Sequence, residues 1–128
     1  MELKYFKDHE FRCKCGKCGR GQNYMDEDFL LKLDELREQV GISLSINSGT
    51  RCPEHNKKVG GASKSEHVAE TTHSGKTTAV DISCTDSNTR FKILKAAMNI
   101  GFPRIGLHKS FIHLGTSKAH PQEVVFFY

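Results

Sequence analysis

Between Gly49 and Thr78 the chain carries Gly49, Pro53, Gly60, Gly61 and Gly75, and no helical or strand period survives that spacing beyond one short turn at Pro53–Val59. Strand-like stretches flank the segment: Leu44–Ser48, which alternates apolar and polar residues, and Ala79–Ser83. Strict βαβ alternation is therefore broken here. Irregular connections of this length inside a domain are mostly functional, and this one holds most of the unusual polar residues of the chain.

Around it the periodicity is regular. Asp26 opens an amphipathic helix whose Phe29, Leu30, Leu33, Leu36, Arg37 and Val40 share helical spacing, with Arg37 burying only its stem. Acidic residues fill its first turn and Gly41 stops it. Asp86 or Ser87 caps a second helix carrying Phe91, Ile93, Leu94, Ala97 and Met98, which ends at Gly101. Arg104–Leu107, Phe111–Leu114 and Val124–Phe127 read as short strands. The pattern predicts an α+β fold, an antiparallel sheet with helices packed on one face. The 128 residues fit one domain, 1–128, opened by a Cys-rich loop region at 1–25.

The formal charge is +4 and the lysines are scattered, so the basic stripe of a nucleic-acid binder is missing. A mild positive charge suits an anionic polymer such as a cell wall. No stretch reaches the roughly 18 apolar residues of a membrane helix. The opening MELKYFKDHEFRCKC has no apolar run of about 7–15 residues, so no secretory signal is read there. Synthesis in the cytoplasm is expected, with access to a wall by phage lysis or another release route, and a monomer.

The five cysteines are Cys13, Cys15, Cys18, Cys52 and Cys84, an odd number that does not complete a disulfide framework. The run Cys-Lys-Cys-Gly-Lys-Cys-Gly resembles half of a zinc knuckle, for which Cys52 or His9 could supply a fourth ligand. A turn-rich loop of reduced thiols is the plainer alternative. A second set comprises His67 after Ser65 and Glu66, Asp81 in one strand and His113 in another. Two imidazoles and a carboxylate leave a zinc coordination position open for water, as catalytic sites require. Asp81 lies between Val80 and Ile82, and His113 between Ile112 and Leu114. Either could point to solvent instead, since strand residues alternate faces.

The ordered motifs Ile46-Asn47-Ser48-Gly49-Thr50-Arg51-Cys52-Pro53-Glu54-His55-Asn56, Val59-Gly60-Gly61-Ala62, Ser65-Glu66-His67 and Ala79-Val80-Asp81-Ile82 resemble the D-alanyl-D-alanine carboxypeptidase family of zinc peptidases, peptidase M15. So does the tail Gly101-Phe102-Pro103-Arg104-Ile105-Gly106 with Phe111-Ile112-His113. The likeness is greatest to short single-domain members of phages and bacteria, which cut peptidoglycan stem peptides. It implies the fold shared with the Hedgehog signalling domain and a Zn2+ ion held by His67, Asp81 and His113. Arg51 matches the residue that stabilises the developing oxyanion, and Ser65 one near the substrate. His55 matches a position expected to brace its turn, while His9 and His120 read as surface residues.

The sequence departs from the family in three places. His67 and Asp81 are fourteen positions apart, where the family pattern Ser-x-His-x-x-Gly-x-Ala-x-Asp has half that spacing. Residues 68–78 therefore look like an insertion, expected to be mobile and to rim the cleft, with His73 as rival ligand. Carboxylates that many members carry around the last His are replaced by Ser110 and Gly115, which leaves His108, Glu66 or Glu70 to carry the proton. The Cys-rich N-terminus is the third departure. Together these readings imply a zinc-dependent peptidase of peptidoglycan peptides, or alternatively a zinc-containing wall-binding module with weak or lost turnover.

Overall fold

Asp26 accepts a hydrogen bond from the Phe29 amide and starts α2 (Glu27–Val40), and Asp86 caps α4 (Ser87–Ile100) through the Thr89 amide. Caps of this kind contribute about 1 kcal/mol each. In this computed structural model, which describes residues 2–128, the remaining elements are α1 (Asp8–Phe11), β1 (Ile46–Ser48), α3 (Pro53–Lys58), β2 (Ala79–Ser83), β3 (Arg104–Leu107), β4 (Phe111–Gly115) and β5 (Val124–Phe127). Single 3-10 turns lie at Gln22–Tyr24 and Ala69–Thr71. Among the described residues no helix is long and apolar enough to cross a membrane.

The strands form one sheet in the order β1-β2-β4-β3-β5. All neighbours are antiparallel except β3 and β5, which run parallel, so the fully antiparallel sheet expected from sequence becomes a mixed one. The return from β4 to a strand beside β3 fixes that direction. Strand alternation sorts the two faces. Val80, Ile82, Ile105, Ile112 and Leu114 point into a core completed by Phe29, Leu30, Leu33 and Leu36 of α2 and Ile93, Ala96 and Ala97 of α4. Helices and apolar strand residues therefore share one face, as expected, and Asp81 and His113 belong to the other.

Three details differ from the sequence reading. Phe91 and Met98 are 65% and 57% exposed, because they sit about 200° and 140° round α4 from Ile93 at 100° per residue. The first strand is shorter than Leu44–Ser48: it spans Ile46–Ser48, and its pairing with β2 carries an irregularity between those two residues. The N-terminal region, expected to be loop-like, is part of the core: Leu3, Phe6, Phe11 and Met25 are buried in it. The Phe11 carbonyl accepts from the Thr50 amide at 3.1 Å, and Gly49 lies so close to the Phe11 backbone that a Cβ there would stand 2.7 Å from it.

Candidate metal centre

Asp81 and His113 are direct partners across β2 and β4, which puts their side chains side by side on the sheet face away from the helices. His67 reaches the same point from the irregular connection. Its carbonyl accepts from the Arg51 amide at 2.9 Å and from Thr77 Oγ1 at 2.8 Å. Either side of it, the Glu66 carbonyl accepts from the Thr78 amide at 3.1 Å and Ser65 Oγ accepts from the His67 amide at 3.2 Å. The loop that carries His67 is thus pinned at both edges, although periodicity assigns it no element.

His67 Nε2, Asp81 Oδ1 and His113 Nδ1 lie 3.3, 3.3 and 2.9 Å from one another. Donor atoms on a tetrahedral zinc ion stand roughly 3.3 Å apart, given bonds near 2.0–2.2 Å. The outer nitrogens set the tautomers. His67 Nδ1 donates to the Gly49 carbonyl at 2.8 Å, and His113 Nε2 donates to Glu66 Oε2 at 2.6 Å. Both remaining ring nitrogens then turn lone pairs toward the Asp81 carboxylate. Three electron-pair donors in one buried spot require a cation or a proton between them. The donor set therefore fits a divalent metal ion.

The titration of the site reflects this crowding. Burial pushes the Asp81 carboxyl up, but His67 and His113 outweigh it and hold the group below the usual carboxylate range. Burial also opposes charge on His113, yet its bonds to Asp81 and Glu66 raise it. For His67, burial dominates over the pull of Asp81 and lowers the imidazole.

The other sequence candidates fall into two groups. Arg51 stands beside the ligand set, with Nη2 3.3 Å from Asp81 Oδ2. Its Nε donates to Ser48 Oγ at 3.1 Å and its Nη1 to Asn56 Oδ1 at 3.1 Å. Among the described residues three of its five N–H groups are used, which leaves two for a ligand. Ser65 and His108 line the same cleft as the triad. His108 Nδ1 accepts from the Ser110 amide and hydroxyl at 3.1 and 3.0 Å, so neutral His108 carries its proton on Nε2, while its ring stacks on Phe111.

Glu66 is already engaged by neighbouring donors. Its carboxylate is 3% exposed and already accepts from His113, from Arg104 Nε at 2.8 Å and from the Ser117 amide at 3.1 Å. It lines the cleft beside His113, and these three bonds suit it to orient that ring. Gly115 makes the room, since a Cβ there would lie 2.1 Å from Glu66 Oε1. Glu70 is removed further, forming a fork of 2.7 and 2.6 Å with Arg20.

The segment 68–78 does not line the cleft. Besides the Glu70 fork it is tied to the N-terminal region by Lys76 Nζ to the Asn23 carbonyl at 2.9 Å and by backbone bonds of Thr77 with Tyr24 and Asp26 at 2.7 and 2.9 Å. His73 is exposed on it and belongs to neither metal-type cluster. The expected mobile rim is thus a strapped segment facing away. The bracing expected of His55 is done by Asn56, which holds Arg51 and donates to the Ala62 carbonyl at 2.9 Å.

Sequence reasoning missed the opposite wall. His120, expected at the surface, lines the cleft, accepts from Ser117 Oγ at 2.7 Å and bonds through Nε2 to the Lys64 carbonyl. Phe126 and Tyr128 complete that wall. Gly106 is the partner of both His113 and Phe126 across the sheet, and a Cβ there would lie 2.5 Å from the Phe126 ring. The available signal was a glycine inside the strand-like run Arg104–Leu107, a position that often marks a close approach.

A family model described as peptidase M15 matches residues 4–115, a span that includes His67, Asp81, His113, Arg51 and Glu66. No curated protein matches the chain closely enough to count as a relative.

Proposed function

Because this chain belongs to the peptidase M15 family of zinc metallopeptidases, we propose that it hydrolyses amide bonds in peptidoglycan stem peptides, as a D-Ala-D-Ala carboxypeptidase or an endolysin-like endopeptidase. His67, Asp81 and His113 would hold the zinc. The observation that carries the reading is the convergence of two imidazole lone pairs and one carboxylate oxygen within 3.3 Å at the floor of an open cleft. A zinc ion there supplies Lewis acidity toward a carbonyl oxygen and toward water.

The chain's own residues divide the remaining work. Arg51 offers its two unused N–H groups to the negative charge that develops on the carbonyl oxygen, a role suited to a permanently charged fork. Ser65 and the Phe111, Phe126 and Tyr128 wall bind the peptide across the cleft. His108 presents an N–H from Nε2, which fits a hydrogen bond to the developing oxyanion; a base role would use the other tautomer, with the Nε2 lone pair free. Glu66 orients His113. Charge supports an anionic substrate: Asp81 and Glu66 are offset by Arg51 and Arg104, so a divalent ion leaves the cleft net positive, suited to a peptide carboxylate.

The test is metal quantification together with digestion of purified peptidoglycan, with fragments read by mass spectrometry. Release of D-alanine or cross-link cleavage, abolished by chelation and restored by zinc, is expected. The second reading is a zinc-containing wall-binding module. The saturation of Glu66, with Ser110 and Gly115 in place of carboxylates, favours it. Binding to sacculi with zinc present and no fragment released would establish that reading.

A further inference from the structure

The N-terminal cysteines converge on a second point, outside the cleft. Cys13, Cys15, Cys18 and Cys52 each bring one sulfur to a cluster in which all four atoms lie within 4.8 Å of one another. We propose that these four thiols form a closed structural zinc site that staples the N-terminal segment to the turn bearing Arg51.

The spacing fits a metal and no disulfide. All five cysteines are free, and Cys13 Sγ stands 3.8 Å from Cys52 Sγ. That is the edge of a tetrahedron with zinc–sulfur bonds near 2.3 Å, about 3.8 Å. The backbone is arranged for charged sulfur. The amides of Lys17 and Cys18 donate to Cys15 Sγ at 3.4 and 3.3 Å. The Cys52 amide donates to Cys13 Sγ at 3.3 Å, and the His55 amide to Cys52 Sγ at 3.4 Å. A neutral thiol is a weak acceptor, so four N–H groups aimed at three sulfurs match thiolates, the form a metal binds. Gly16 and Gly19, both at φ +74°, let the chain fold back after Cys15 and Cys18.

Four sulfurs leave no position for water, which makes the site structural. His9, the alternative fourth ligand, is not in the cluster. What the site holds is mechanically important. Cys52 adjoins Arg51, and the same turn receives Phe11 through the bond to the Thr50 amide at 3.1 Å. Between Cys13 and Gly21 the chain has no apolar side chain besides the cysteines, so metal ligation does there what burial cannot.

The experiment uses the full chain purified under reducing conditions. Elemental analysis should give about two zinc ions per chain when both sites are filled. The double variant Cys15→Ser, Cys18→Ser should lose one of them, and His67→Ala should lose the other. Cobalt exchanged into the unaltered protein should show near-ultraviolet thiolate-to-metal charge transfer. That band should persist in His67→Ala and vanish in the cysteine variant. Native thiol titration should show the four clustered thiols protected until a chelator is added. A single zinc per chain with four freely reacting thiols, or a cobalt spectrum without thiolate bands, would overturn the proposal. Neither result bears on whether the His67 site hydrolyses peptides.

Discussion

Glu66→Gln separates two roles that the sequence alone could not. The carboxylate has two oxygens and three buried or half-buried donors: His113 Nε2 at 2.6 Å, Arg104 Nε at 2.8 Å and the Ser117 amide at 3.1 Å. Glutamine keeps one acceptor oxygen. Whichever way it turns, its NH2 confronts at least one donor, and a buried N–H without a partner costs about 1–3 kcal/mol. His113 also loses the anion that fixes its ring and raises its basicity, a loss of about 10–100-fold in metal affinity for such partners. That corresponds to about 1.4–2.7 kcal/mol. Competition with a chromophoric chelator should therefore show weaker zinc binding, and much of the lost turnover should return at saturating zinc. Gly115→Ala should shift zinc binding the same way, because its Cβ would stand 2.1 and 2.2 Å from the two carboxylate oxygens. If Glu66→Gln binds zinc with unaltered affinity while turnover collapses, Glu66 is the proton carrier and the orienting role is wrong.

Arg51→Lys should keep zinc and lose about 10²–10³-fold in turnover, as removal of one oxyanion donor does; unchanged rates on a defined stem peptide would remove Arg51 from the chemistry. His108→Ala should also keep zinc and lose about 10²–10⁴-fold, the range for general acid–base help. His73→Ala should leave metal content intact while His67→Ala empties the cleft site by elemental analysis, and the reverse pattern would mean the register through 68–78 is misread. The hydrogen bond from Arg20 holds the Glu70 carboxyl below its ordinary value, so the pair's stabilisation is complete above about pH 4.3, the unfolded value, and is lost as pH falls through the folded one. Half-exposed as Glu70 is, Glu70→Gln should remove under about 1 kcal/mol, seen in urea melts above that pH and absent well below it.

The fold was legible where burial is periodic. Phe29, Leu33 and Leu36 recur at helical spacing because one face of α2 is covered, and Val80 and Ile82 alternate with Asp81 because one face of β2 is. The parallel β3–β5 pair left no such mark: Val124–Phe127 is strand-like whichever direction it runs, and its direction follows from the short return that leads from the end of β4 to β5. The N-terminal region reads as loop because Gly16, Gly19 and Gly21 break any period, while Leu3, Phe6 and Phe11 are buried all the same. Their burial comes from contacts with distant elements, Phe11 with the Gly49–Thr50 turn among them.

The site divides along the same line. Asp81 and His113 could be picked out because an ionisable residue between two buried apolar ones must have a reason to face the other side. The register that makes them partners turns two ambiguous positions into one centre. Continuing along that row explains what sequence could not assign. Ser48 pairs with Asp81, Gly106 with His113 and Phe126 with Gly106, so one line across five strands carries the Arg51 support, two candidate ligands, a gap and the aromatic wall. The gap is required: a side chain at 106 would collide with Phe126, just as one at 115 would collide with Glu66. The missing carboxylate at 115 is therefore not simply a loss. Glycine there admits a carboxylate from the neighbouring loop, which reaches His113; on the proposed reading, a group beside the metal gives way to one that would steer a ligand.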